Sequence, residues 1–136
     1  MNALILDSEA ISRLAERPTR IGTVHAALAA ARATRSTVAV PAAVLAEQYR
    51  GGGYNKRLDA FMARNTQIEI VDTDRSLARM IGAVLSSHRL GSQHHVDASV
   101  ISTAIKLGPS VILTCDVDDL RRLAIGIPAV EVENVD

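Results

Sequence analysis

Short aliphatic runs that stop at a polar residue alternate along this chain with longer stretches whose apolar positions recur every three to four residues. The first run, Ala3-Leu4-Ile5-Leu6, is wholly apolar and meets Asp7-Ser8, as a strand buried on both faces does at its end. Ser8 is placed to cap a helix with Glu9 in its first turn and Ile11 and Leu14 on one face, stopping near Pro18. An alanine-rich helix follows from about Arg20, with Val24, Leu28 and Ala31 at helical spacing. Residues 37–40 read as a strand, and Pro41 suits the first turn of a helix that runs from Ala42 to about Arg50 and is ended by Gly51-Gly52-Gly53. Asn55 is placed to cap the next helix, striped by Leu58, Phe61 and Met62, and residues 67–71 read as a strand.

Asp74 then caps a long helix with Leu77, Ile81, Val84 and Leu85 facing inward and Arg79, Ser86 and Ser87 off that stripe. Residues 91–95 are a polar loop. The helix at 96–107 is apolar on nearly every side, so it belongs deep in the fold, and Gly108-Pro109 ends it. The run Val111-Ile112-Leu113-Thr114 is a buried strand that breaks into Cys115-Asp116-Val117-Asp118-Asp119. A short helix near 120–124 and a strand at 129–135 complete the pattern. Strands alternating with helices predict a single doubly wound α/β domain over residues 1–136 with a mostly parallel sheet.

Composition narrows the picture. Of 136 residues 48% are hydrophobic but only 2% aromatic, so the core must be built from Ala, Val, Ile and Leu. Fifteen basic residues balance fifteen acidic ones, so no global field draws the chain to nucleic acid or anionic lipid. The single cysteine, Cys115, excludes an intramolecular disulfide and a multi-cysteine zinc site and fits a reducing compartment. As a small side chain after a buried strand it is expected to pack as a hydrophobe. No apolar run reaches membrane-spanning length and the first residues lack a signal-peptide pattern, so a cytoplasmic protein with no membrane partner is expected.

The chemistry lies in the carboxylates. In an open parallel sheet ligands bind at the carboxyl ends of strands, so Asp7 and Asp116, each at a strand end, are expected at one site. Two more acids are out of place: Glu47 lies beside the apolar stripe of its helix, and Asp97 opens the most apolar helix of the chain. A favourable helix dipole, worth ~0.3–1 kcal/mol, is a sufficient explanation of Asp97 taken alone. Taken together, four carboxylates repel: a pair ~4 Å apart costs about 4 kcal/mol at an effective dielectric of 20. Such a cluster needs a cation or shared protons. Oxygen ligands without Cys or His select Mg²⁺ or Mn²⁺ over zinc, and metal-assisted hydrolysis of a phosphodiester is the chemistry that such a site supports.

At these residues the chain resembles the PIN domains, and within them the VapC-type ribonuclease toxins of bacterial toxin–antitoxin modules. The resemblance rests on Leu4-Ile5-Leu6-Asp7-Ser8, the helix from Pro41 to Glu47, Val96-Asp97-Ala98, and Leu113-Thr114-Cys115-Asp116-Val117-Asp118-Asp119-Leu120, in order and over nearly the whole chain. It implies a three-layer α/β/α fold and a Mg²⁺- or Mn²⁺-dependent endoribonuclease with catalytic metal ligands at Asp7, Glu47, Asp97 and Asp116. It further implies a fifth acid, Asp119, at the rim, hydrogen-bonding support from Ser8 and Thr114, a homodimer, and inhibition by a cognate antitoxin. Asp118 has no counterpart in the pattern, and Ser92-Gln93-His94-His95 departs from it.

An RNA substrate requires cations near the acidic site, and Arg13 and Arg50 are the best placed, ahead of Lys56, Arg57, Arg121 and Arg122. So few aromatics leave RNA shape and hydrogen bonding as the means of recognition. Adjacent His94 and His95 do not share a helix face as a metal pair. A related metal-dependent DNA nuclease or phosphatase stays open as an alternative. So does a catalytically inactive PIN-like or receiver-like module that holds a partner's basic tail, although a receiver would carry a lysine near its last strands and 111–120 has none.

Overall fold

The computed structural model describes residues 1–16 and 22–135. Among the described residues five strands, β1 (Ala3–Leu6), β2 (Thr37–Pro41), β3 (Ile68–Val71), β4 (Ser110–Thr114) and β5 (Val130–Asn134), form one sheet in the order β3-β2-β1-β4-β5. Every pairing is parallel. The strands expected at 67–71 and 129–135 are thus trimmed by a residue at one or both ends.

Burial explains which residues make which strands. Central β1 is buried at all four positions, and Leu4, Ile5 and Leu6 meet Val111, Ile112 and Leu113 of β4 in register. A strand covered on both faces has no use for alternation. The edge strands β3 and β5 expose alternate or inner positions, Glu69, Ile70, Glu131 and Glu133 among them.

Helices α1 (Ser8–Glu16), α2 (Thr23–Ala33), α3 (Ala42–Gln48) and α4 (Gly52–Arg64) connect β1 to β2 and β2 to β3. Right-handed crossovers running in one direction place all four on the same face. The long return from β3 to β4 carries α5 (Arg75–Ser87) and α6 (His95–Leu107) to the opposite face, where α7 (Val117–Leu123) joins them against α6 and β5. The result is the expected three-layer α/β/α arrangement. The central helix α6 packs on α5 and on the middle strands. Seven consecutive residues from Ala98 to Ala104 are buried, small side chains among them, so the backbone sits close to the sheet. Gly108 ends α6 with φ +86, a conformation that favours glycine.

Local boundaries depart from the sequence expectation in places. The expected end of α1 near Pro18 and start of α2 near Arg20 lie outside the described residues. α3 stops at Gln48, short of Arg50. The glycine triplet does not simply end that helix: Gly51, at φ +99, is the N-terminal cap of α4, and Gly52 and Gly53 form its first turn. Asn55 is therefore inside α4, and its carboxamide oxygen reaches back to accept from the Gly51 N–H at 2.8 Å. Asp74 caps α5 as expected, accepting from Leu77 N at 2.8 Å. The polar loop at 91–95 contains a 3-10 turn, Ser92–His94, that runs directly into α6 at His95. α7 starts at Val117, before the expected 120.

Candidate metal centre at the carboxyl ends of β1 and β4

The strand order reverses between β1 and β4: β2 and β3 follow on one side, β5 on the other. Such a reversal opens a crevice at the carboxyl ends, where the two connections leave in opposite directions. Asp7 stands there at the end of β1, its N–H donating to Leu113 O at 3.1 Å as a continuation of the ladder. It is 4% exposed. Its carboxylate accepts from Ser8 N at 2.8 Å and from Thr114 Oγ1 at 2.7 Å. The same Thr114 hydroxyl accepts from Asp116 N at 2.9 Å, so the end of β4 holds both acids in place.

Asp97 enters from the first turn of α6 and Asp116 from the residue that precedes α7. Asp7, Asp97 and Asp116 each offer a carboxylate oxygen, and the three atoms all lie within 4.8 Å of one another. The Asp116 carboxylate makes no capping hydrogen bond to α7. Asp7 is itself the residue before α1, its carbonyl accepting from Ile11 N at 3.1 Å. Ser8 consequently lies inside the helix rather than at its cap, which frees its hydroxyl.

That hydroxyl donates to Glu47 Oε1 at 2.9 Å. Glu47 is exposed at the end of α3 and stands outside the trio, where its negative charge still raises the pKa of Asp7. Burial is the larger cause of that rise; the Thr114 and Ser8 hydrogen bonds oppose it and Asp116 adds to it. Asp97 is pushed up to about 6, by burial first and then by Asp7, Asp116 and Asp119, while nearby His94 lowers it. Two carboxyls that resist ionisation mark a site short of positive charge.

Asp119 is exposed and pairs weakly with Arg122 at 3.9 Å. Cys115, expected to be a packed hydrophobe, is exposed: the strand's burial ends at Thr114, and the chain turns outward before α7. Partial desolvation and the charges of Asp116, Glu9 and Asp7 push its thiol up. Of the candidate cations, Arg13 is tied to Glu9 at 3.3 Å and to Val135 O at 3.3 Å. Arg50 is exposed beyond α3. Arg57 lies over the Tyr54 ring, 5.5 Å from its centroid. Two residues that the sequence reading did not assign, Asp118 and Asn134, line a cleft beside Asp116. Asp118 was visible as part of the acidic run; nothing in the sequence marked Asn134.

The fold and the strand-end acids define a parallel α/β domain with an acidic centre at its switch point. The PIN domain family model matches residues 4–126, and the chain belongs to that family. A chain in the crystal structure of VapBC2 from Rickettsia felis bound to a promoter DNA fragment is similar over 98% of this chain and 99% of its own, with TM-score 0.68 and 16% identity. A chain of a toxin–antitoxin complex from Klebsiella pneumoniae is similar over 93% and 94%, with TM-score 0.65 and 17% identity. One in DNA-bound VapBC from Salmonella typhimurium is similar over the whole of both chains, with TM-score 0.65 and 14% identity. At such identities the likeness is one of fold. No curated protein matches the chain. Among the described residues no helix is long and apolar enough to cross a membrane.

Proposed function

We propose that this PIN domain, read as a single unit over residues 1–136, is a Mg²⁺- or Mn²⁺-dependent endoribonuclease and the toxin of a toxin–antitoxin pair. The observation that carries the reading is the convergence of Asp7, Asp97 and Asp116 within 4.8 Å at the strand ends. The donor set fits a hard divalent cation: oxygen atoms alone, anionic and clustered, with Asp7 and Asp97 holding their protons more tightly than usual through burial first and the neighbouring charges after it. Asp7, Asp97 and Asp116 would hold the ion, with Glu47 and Asp119 completing the acidic rim. When bound, the ion supplies charge neutralisation at a phosphodiester and lowers the pKa of a bound water.

The chain's own residues do the rest. Thr114 fixes the rotamer of Asp7 and the backbone of Asp116 together, so two ligands cannot move apart independently. Ser8 orients Glu47 towards the same crevice. Arg50, exposed beyond the Glu47 helix, is the better remaining phosphate contact, because Arg13 is engaged with Glu9 and Val135. The structural neighbours are chains of toxin–antitoxin complexes, which supports a cognate antitoxin as partner. That the antitoxin covers the acidic crevice, that the protein pairs as a homodimer and that it acts on RNA in the cytoplasm are parts of the same proposal.

The test is cleavage of structured RNAs, and of DNA of the same sequence, with Mg²⁺, with Mn²⁺ and with EDTA, beside Asp97→Asn. Metal-dependent cutting of RNA alone, lost in the variant, is expected. Equal cutting of RNA and DNA would make it a nuclease without RNA preference. No cutting and no metal binding would favour a module that only holds a partner's tail.

A further inference from the structure

A cleft of about 510 Å³ opens beside the carboxylate trio, lined by Cys115, Asp116, Asp118, Asp119, Arg121 and Asn134 among others. Its volume lies within the roughly 300–1,000 Å³ of sites that take a small organic ligand. It meets the carboxylate trio at Asp116, which belongs to both.

The first turns of α7 divide the acids between two directions. Asp116 and Asp119, three residues apart, share one face of the helix, and the charges of both are felt by Asp97. Asp118 and Arg121, also three apart, share another face. That second face looks towards β5, because an Arg121 N–H donates to Val132 O at 3.2 Å. Asp118 itself is exposed and has no hydrogen-bond or ion-pair partner among the described residues. An unpaired carboxylate, a guanidinium anchored to the sheet edge and the Asn134 wall thus surround space one step from the acids proposed to bind metal.

We propose that this cleft is the base-recognition subsite of the nuclease, taking an unstacked guanine next to the scissile phosphate with Asp118 as its specificity-determining residue. The inference rests on the nuclease reading. A carboxylate only accepts hydrogen bonds, so it selects the base edge richest in adjacent donors. Guanine presents N1–H and N2–H side by side on its Watson–Crick edge, matching the two oxygens of one carboxylate. Adenine and cytosine present one donor beside an acceptor, and uracil one donor between two acceptors. Single-stranded RNA is read at these edges once a base is splayed out. Arg121, anchored to Val132 O in the same cleft, has further donors to offer the phosphate that follows.

The experiment is titration of the full chain, in EDTA, with guanosine, inosine, adenosine and uridine, followed by NMR chemical-shift changes, for wild type and Asp118→Asn. RNA cleavage with Mn²⁺ is recorded alongside. Guanosine is expected to bind about tenfold more tightly than adenosine or uridine, the discrimination of one good bidentate pair. Inosine, which lacks the N2 amine, is expected in between, and this comparison is made in the wild type alone. In Asp118→Asn the preference is expected to vanish. Equal binding of the four nucleosides, no binding, or a preference that survives in Asp118→Asn would overturn the proposal. Cutting without guanosine preference would overturn this inference and leave the nuclease reading standing; absence of cutting with Mn²⁺ would overturn the nuclease reading instead.

Discussion

Thr114 Oγ1 donates to Asp7 Oδ2 at 2.7 Å across 107 positions of sequence, in a bond that is buried. The same oxygen accepts from Asp116 N, so one hydroxyl couples the ends of neighbouring strands β1 and β4. Thr114→Val keeps the shape and removes both bonds. A buried acceptor left without a donor costs ~1–3 kcal/mol. Urea unfolding in EDTA is expected to show a loss of that size, with most of it recovered in Thr114→Ser. Equal midpoints for wild type and Thr114→Val would show that the hydroxyl is dispensable.

Acid pH should favour the metal-free fold through Asp97. Its folded pKa, about 6, lies above the ordinary 3.8, so the folded state holds this proton more tightly than the unfolded chain does. That stabilising contribution is fully present below about pH 4 and is lost as pH rises through about 6. The buried Asp7 is raised too and acts in the same direction. Unfolding midpoints in EDTA are expected to fall between about pH 4 and 7, and Asp97→Asn should flatten that slope. A slope unchanged in the variant would assign the effect to other groups.

Divalent metal should reverse this penalty at neutral pH. A ligand that binds only the folded state adds about 2.7 kcal/mol of stability at a hundred times its Kd. Mn²⁺ is therefore expected to raise the melting temperature by several degrees at neutral pH, EDTA to restore the original value, and Asp97→Asn to abolish the rise. A rise of equal size in the variant would place the ion elsewhere.

Cys115 should react with a maleimide in the native protein, because its thiol is exposed. Cys115→Ser is expected to change stability by no more than about 0.5 kcal/mol, as exposed substitutions generally do. The bulky adduct would occupy the mouth of the cleft that Cys115 lines and is expected to slow RNA cleavage. Labelling that proceeds only in denaturant would show that the thiol is buried after all.

Much of this molecule is legible without coordinates. Leu4-Ile5-Leu6 and Ile112-Leu113 could only be buried on both faces, and a helix apolar on nearly every side, such as α6, had to lie inside. The acids at strand ends followed from the runs they terminate. What escaped the sequence depends on direction or on distant partners. Nothing local to Cys115 records that the chain turns outward after Thr114. The glycine triplet permits an ending and a beginning equally, and the Asn55 bond back to Gly51 decided for the latter. Glu47 looks like any solvated helical acid until Ser8, 39 positions earlier, hydrogen-bonds to it. Arg13 stands one turn from Glu9 in the sequence, but its second contact, with Val135 O, lies 122 positions away and has no local sign.

The central place of β1 also governs when the acidic centre assembles. Its register partner β4 lies more than a hundred positions downstream, Leu6 opposite Leu113. Folds dominated by such non-local pairings form slowly, and a ribosome delivers about 5–20 residues per second from the N-terminus. Asp7 therefore emerges many seconds before Asp116, and β1 has no β4 to pair with in the interval. A growing chain therefore has no assembled acidic centre until its last third has been made.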